Sequence, residues 1–367
     1  MTSYNPELDS ASIATYKYLM RAFKPPEICA PSITQSEIDR GPIMIACTHR
    51  SHTDYFLIGS YVHHIGVTRL RFAAGDNLTE MPWLGRRFKS WGAFPVKRHS
   101  ARNRAYIMGL CEDVAKMMLA GESIIVFPEG GRSYTGAMLE LNQVVVGSAV
   151  LAQARNPTLP VRILPCAISY ERLPELSAFQ TLERGKKLRA PDNPLLSRLR
   201  GNLLYFGADI AAAIRFFLCN RLGMSPGGFH VDIGDLVNVT DITDPAKTRK
   251  ADAPNEFFAY RESIRALANY LQGRFYSLYR LLPEHVMAHI IKTRGIDAAG
   301  FGGAVAETLD DQKLKGRNLR SLAPLAPQQI IDAGCAQLAA MKGLRRRKDG
   351  VSVTDPWVIE YYAASIT

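Results

Sequence analysis

Apolar and polar positions fall into blocks of two kinds along most of this chain. The first clear block is the run 43–47, "IMIAC", short and wholly apolar, which reads as a buried strand. Helical spacing follows over about 53–64. The segment "RLRFAAG" then reads as a strand, 82–90 as a short helix and "AFPVKR" as a strand. The same alternation continues with a helix over 102–119, the strand "SIIVF", a helix over 141–154, and the strands "VRILPCAISY" and "GFHVDIGD". Strands alternating with helices predict an α/β fold, a central mixed sheet flanked by helices.

Both ends of the chain read differently. Residues 10–23, "SASIATYKYLMRAF", have helical apolar spacing and stop at Lys24-Pro25-Pro26, which predicts an N-terminal helical segment over 1–39 ahead of an α/β domain over 40–250. Beyond 250 the strand signal fades. The stretch "PNEFFAYRESIRALANYLQGRFYSLYRLLPEHVMAHIIKT" reads as long amphipathic helix, so a helical C-terminal region is expected over 251–367. Within it, "LRRRKDG" at 344–350 reads as a solvated basic turn.

Composition narrows the picture at three points. The 367 residues carry a formal charge of +11, which calls for an acidic partner: a phosphorylated substrate, an acidic carrier protein, anionic lipid or nucleic acid. Charge does not choose among them. The six cysteines, at 29, 47, 111, 166, 219 and 335, are scattered and read as reduced core residues of a cytosolic protein. The opening "MTSYNPELDSAS" has no apolar core of a secretory signal, and no uncharged apolar run reaches the roughly 18 residues a bilayer span needs. If this protein meets a membrane, the expectation is that it does so from the side.

Four stretches at or just beyond strand ends carry candidate chemistry, the place where open α/β sheets hold ligands. The first, "CTHRSHTDY", sets His49 five residues before Asp54. On a regular helix the two would lie about 140° apart, so they meet only if His49 sits on a turn and Asp54 begins the helix. An imidazole held by a carboxylate can take a proton from a hydroxyl; equally, Ser51 or Thr53 could cap the helix, with Asp54 favourable in its first turn. Both readings stand on the residues alone. The second stretch, 83–104, interleaves Arg86, Arg87, Lys89, Lys97, Arg98, Arg102 and Arg104 with aromatics, either a solvated face or a surface for lipid or phosphate. The third, "FPEGGRS", places Glu129, Gly130, Gly131, Arg132 and Ser133 after a strand, where glycines allow close backbone approach and arginine offers a fork for phosphate. The fourth ends a strand in Tyr170, Glu171 and Arg172. Fingerprints of serine hydrolases, NTPases, dinucleotide enzymes and zinc enzymes are missing, and His63 and His64 read as surface or packing residues.

Taken in order, "HRSHTDY", "GAFPVKR", "FPEGGRS" and "ILPCAISYERLPE" resemble the four blocks of the glycerol-phosphate acyltransferase family. "FHVDIGD" and the closing "VIEYYAASI" resemble later parts of the bacterial glycerol-3-phosphate enzymes. The arginine in "HRSH" and the "EGGRS" form favour the glycerol-3-phosphate or dihydroxyacetone-phosphate branches over lysophosphatidate acyltransferases. The resemblance implies that His49 is a general base oriented by Asp54, deprotonating the sn-1 hydroxyl of glycerol 3-phosphate for attack on an acyl-CoA or acyl carrier protein thioester. It implies substrate binding by Arg50, Lys97, Arg98, Glu129, Gly130, Gly131, Arg132 and Ser133. Pro95 and Lys97 depart from the family's usual residues, and lysine lacks the arginine fork, so Arg98 weighs more. No metal or redox cofactor and no nucleic acid are implied. The expected location is the cytoplasmic face of an anionic membrane, as in a bacterial inner membrane, bound peripherally. Dihydroxyacetone-phosphate or lysophosphatidate acylation, or a non-catalytic lipid-surface protein of the same fold, are the alternatives.

Overall fold

The computed structural model describes residues 27–51, 53–75, 92–96, 103–187, 227–295, 300–347 and 350–366. The expected helices at 10–23 and 82–90, together with Lys97, Arg98 and most of the basic stretch 83–104, lie outside them.

An eight-stranded mixed sheet forms the centre. In chain order its strands are β1 (Glu27–Cys29), β2 (Ile43–Cys47), β3 (Leu70–Gly75), β4 (Ala93–Val96), β5 (Ser123–Val126), β6 (Arg162–Tyr170), β7 (Phe229–Ile233) and β8 (Val237–Asn238). They lie in the order β1-β7-β6-β2-β5-β3-β4, with β8 beside β6. From β6 through β2, β5 and β3 to β4 every pairing is parallel; β7 and β8 run antiparallel to β6. Parallel neighbours buried on both faces explain why these strands read as continuous apolar runs.

The alternation of side chains along β2 divides two cores. Ile43, Ile45 and Cys47 join one cluster, while Met44 and Ala46 join the other. On the second face lie α3 (Arg104–Leu119), α4 (Gln143–Arg155) and a later helix over Arg261–Leu278, three helices whose apolar residues fill that cluster. On the first face lie α2 (Asp54–His64), α5 (Leu176–Lys187) and much of the C-terminal region. Cys47, Cys111, Cys166 and Cys335 are buried and free, and Cys29 is partly buried and free.

Short α1 (Gln35–Ile38) precedes β2, and the short helices α6 (Val239–Ile242), α7 (Pro245–Thr248) and α8 (Glu256–Ala259) lead from β8 into α9 (Arg261–Leu278). The expected single long helix is therefore broken. Pro283 biases Leu282 to extended backbone (φ −118°, ψ 160°) and opens a new helix, α10 (Pro283–Arg294). Then follow α11 (Phe301–Leu314), α12 (Pro327–Ala340) and α13 (Pro356–Ala363). "LRRR" is not a turn: Leu344–Arg347 forms β9, paired antiparallel with β10 (Gly350–Val353), and the buried Leu344 with Val351 of β10 supplies the packing that the charge run conceals.

α10 also carries a proton-sensitive joint. The Leu282 N–H donates to Nδ1 of His285 (3.1 Å), and the ring lies stacked between Tyr279 and Tyr362. Burial, reinforced by Arg317 and Arg50, pushes the His285 imidazolium down to about 3. Unfolded chain binds this proton near pH 6.5 and folded chain does not, so its contribution is complete above 6.5 and is lost as pH falls toward 3. Glutamine at the third helical position accepts the same N–H without titrating. Between pH 7.5 and 5, urea-unfolding stability of the native protein should therefore fall about 2 kcal/mol more than that of His285→Gln. Parallel pH profiles would refute this.

Candidate active site

The parallel strands β2, β5 and β6 end on one side of the sheet, and the polar groups after their last residues meet there. His49 follows β2, Glu129 follows β5, and Tyr170 closes β6. This is the crevice position that an open parallel sheet offers.

His49 sits on the turn and Asp54 is the first residue of α2, the one arrangement in which their spacing lets them touch. The His49 Nδ1 lies 3.0 Å from Asp54 Oδ2, and both side chains are buried. The same Oδ2 accepts the backbone N–H of Arg50 (2.7 Å) and of Ser51 (2.8 Å), while Oδ1 accepts the Tyr170 hydroxyl (2.6 Å). The alternative role as a simple helix cap does not describe Ser51 and Thr53: Thr53 makes no side-chain cap bond, and Ser51 donates to Glu175 (2.9 and 2.8 Å to its two oxygens). Phe127 and Tyr55 flank the imidazole at ring-centroid distances of 4.2 and 5.5 Å, holding it between apolar walls.

The third stretch clamps this turn. Glu129 accepts the backbone N–H of His49 through Oε1 (2.9 Å) and that of Leu139 through Oε2 (3.0 Å). Expected as a substrate-binding residue, Glu129 thus braces the histidine turn with both of its oxygens. Ser133 is buried too: its N–H donates to the His49 carbonyl (3.3 Å) and its hydroxyl to the Ala137 carbonyl (2.6 Å). Gly130 has φ +70° and donates its N–H to Phe127 (2.9 Å), whereas the next N–H, that of Gly131, makes no hydrogen bond among the described residues and can be offered to a ligand. A Cβ on either glycine would meet nothing within 4 Å, which leaves open space in front of the turn.

Arg50 and Arg132 approach from two sides. Arg50 is 3% exposed, donates from Nη1 to the carbonyls of Gly136 (3.3 Å) and Ala137 (3.0 Å), and lies 4.8 Å over the Tyr279 ring. Burial is the largest single influence and opposes its charge, yet Glu129, Tyr279, Tyr361 and Asp54 together outweigh it and hold the guanidinium above its ordinary value. Its Nε has no hydrogen-bond partner among the described residues. Arg132, also 3% exposed, lies over the rings of Phe179 (5.0 Å) and Tyr134 (5.9 Å).

Sequence reasoning missed the long-range supports. Tyr170 was visible as a polar strand exit; nothing local marks Glu175, Tyr279, or the seating of α13 on the 133–137 loop. Tyr361 donates to the Ser133 carbonyl (3.4 Å) and Ser365 to the Gly136 carbonyl (3.3 Å). Gly136 has φ +83°, and a Cβ there would overlap the Tyr361 carbonyl. Gly130→Ala should incur backbone strain alone, about 1–2 kcal/mol, whereas Gly136→Ala adds that overlap and should lower the melting temperature clearly more. Equal losses in a thermal scan would contradict the seating.

Among the described residues no group of three or more His, Cys, Asp or Glu is placed to hold a metal ion, and no helix is long and apolar enough to cross a membrane. Residues 31–169 match the acyltransferase family model. The glycerol-3-phosphate acyltransferases of Actinobacillus pleuropneumoniae and Glaesserella parasuis are each 34% identical over 165 residues, and that of Haemophilus influenzae is 33% identical over the same length. Each alignment covers 45% of this chain and 20% of the relative, so the matched part spans about a fifth of those proteins. The crystal structure of the 1-acyl-sn-glycerophosphate acyltransferase of Thermotoga maritima overlaps 72% of this chain and 77% of its own at 14% identity and a TM-score of 0.36, too small a likeness to build on.

Proposed function

We propose, since residues 31–169 match the acyltransferase family model, that this protein moves a fatty acyl group from a thioester to the sn-1 hydroxyl of glycerol 3-phosphate, giving lysophosphatidate. The observation that carries the reading is the buried His49–Asp54 contact of 3.0 Å at the converging ends of three parallel strands. With Nδ1 facing the carboxylate, Nε2 is the nitrogen that takes the acceptor's hydroxyl proton, and Asp54 stabilises the imidazolium that results. The acceptor oxygen bonds to the thioester carbonyl carbon, the tetrahedral intermediate collapses with cleavage of the C–S bond, and the leaving thiolate takes the proton back from His49. No acyl-enzyme is formed.

The Gly131 N–H is suited to the oxyanion, because the turn in front of it is open. Arg50, through its unused Nε, and Arg132 bind the acceptor phosphate. Lys97 and Arg98 join that phosphate site. The donor is acyl-CoA or acyl carrier protein. The charge of +11 and the basic stretch 83–104 suit an anionic membrane surface at the cytoplasmic face, a link that salt-sensitive co-flotation with anionic vesicles tests.

The experiment is an acceptor panel. Glycerol 3-phosphate, dihydroxyacetone phosphate and lysophosphatidate are each offered with palmitoyl-CoA and with palmitoyl carrier protein, and kcat/KM is compared. Glycerol 3-phosphate should rank first, since a site built for the middle hydroxyl rejects a ketone that lacks its proton. Preference for either other acceptor overturns the acceptor assignment; no transfer to any of them overturns the enzyme.

A further inference from the structure

Tyr170 closes β6 with its ring in the core beside Phe229 (centroids 6.1 Å apart), a place where phenylalanine would pack equally well. Its hydroxyl is what packing does not explain. Buried with the ring, it lies 2.6 Å from Asp54 Oδ1 and 2.9 Å from Thr53 Oγ1. Asp54 Oδ2 already accepts from two backbone N–H groups and faces His49, and a carboxylate has no proton to give. The one hydroxyl proton of Tyr170 therefore points at Oδ1, which leaves its oxygen to accept from Thr53, whose single proton is shared between Tyr170 and the Ser51 Oγ at 2.8 Å. Tyr170 donates to Asp54, Asp54 faces His49, and the Thr53 hydroxyl stands behind Tyr170. Oδ1 accepts no other hydrogen bond among the described residues.

We propose that Tyr170 is a positioning residue of the acyl-transfer site, one that orients Asp54 and, by drawing its negative charge toward Oδ1, restrains the proton affinity of His49. The proposal rests on the reading of His49 as the general base. Burial and the neighbouring Asp54 both push the Tyr170 phenol well above its ordinary value, so it stays a donor throughout the working range. Among the described residues, the other ionisable or charged groups around the pair are Cys47 from β2, Arg50 from the turn, Tyr55 from α2, Glu129 from the loop after β5, Cys166 from β6 and Glu175 ahead of α5, and none of these hydrogen-bonds Oδ1. Removing the hydroxyl returns charge to Oδ2, next to Nδ1, and an imidazolium there is better stabilised. His49 then titrates at higher pH, and activity is lost earlier as the solution is acidified.

The test is an NMR titration of the His49 ring in the full chain, its signal identified by absence from His49→Ala, with kcat/KM followed over the same pH range. In Tyr170→Phe the His49 midpoint should rise by about half a unit to one unit, and the acid limb of kcat/KM should move with it while the acceptor KM stays put. Thr53→Val removes the donor behind Tyr170 and should shift the midpoint the same way by less; it decides the matter if the phenylalanine variant does not fold. A His49 midpoint unchanged to within about 0.2 units in the folded variants would overturn the proposal, even with a lower melting temperature. If the midpoint moves but native protein transfers no acyl group to any acceptor, the Tyr170 link stands and the enzymatic reading falls.

Discussion

His49→Ala is expected to lower kcat for acyl transfer by about 10²–10⁴-fold, the range a positioned general base supplies, while circular dichroism stays native. Fold survival is expected because the ties of this turn run through backbone: the His49 N–H to Glu129, and its carbonyl to Ser133. Asp54→Asn should differ in kind. Asp54 gathers two backbone N–H groups and the Tyr170 hydroxyl besides the imidazole, and asparagine offers a single accepting oxygen for these donors. Its turnover should fall on a similar scale, and its melting temperature should fall as well. Removing one partner of a buried charged hydrogen bond costs about 1.5–3 kcal/mol. Near-native turnover in His49→Ala would remove the mechanism; an unchanged melting temperature in Asp54→Asn would remove the structural half of the account.

Arg132→Lys is expected to raise the acceptor KM by about ten- to hundredfold with kcat little changed, since the lost contact is made in ground and transition state alike. The guanidinium lies over Phe179 and Tyr134, a stacking that a planar fork maintains and an ammonium does not. A lysine keeps the charge but meets the phosphate through one donor at a time, forfeiting about 1.5–3 kcal/mol. Steady-state kinetics in acceptor concentration reads the outcome. Should kcat fall with KM unchanged, Arg132 acts on the oxyanion and the phosphate site is carried by Arg50.

The sheet was legible because parallel strands buried on both faces leave unbroken apolar runs, and β2 was read over the same five residues that form it. The site was legible where its chemistry is local. His49 and Asp54 are five residues apart, and elementary helix geometry already said that they meet only with one on the turn and the other opening α2. Glu129 and Tyr170 were visible as residues but not as roles: the first reaches across 80 positions to the His49 N–H, the second across 116 to Asp54. Strand order sets such contacts, and periodicity within a strand does not report strand order. The same holds for Gly136, whose need for glycine depends on α13, more than 200 residues later. At the C-terminal end the sequence misled where one signal masked another. The charge of "LRRR" hid a hairpin strand, and continuous amphipathicity hid the break that Pro283 imposes.

Direct transfer from thioester to acceptor is the centre of the account, and radiolabelled palmitoyl thioester tests it in a single turnover with protein in excess. In the presence of glycerol 3-phosphate the label should appear in lysophosphatidate, and without acceptor the protein recovered under denaturing conditions should carry none. Label bound covalently to the protein, formed before the acceptor is added and then chased into product, would contradict a mechanism in which His49 activates the acceptor hydroxyl and the acyl group never rests on the enzyme.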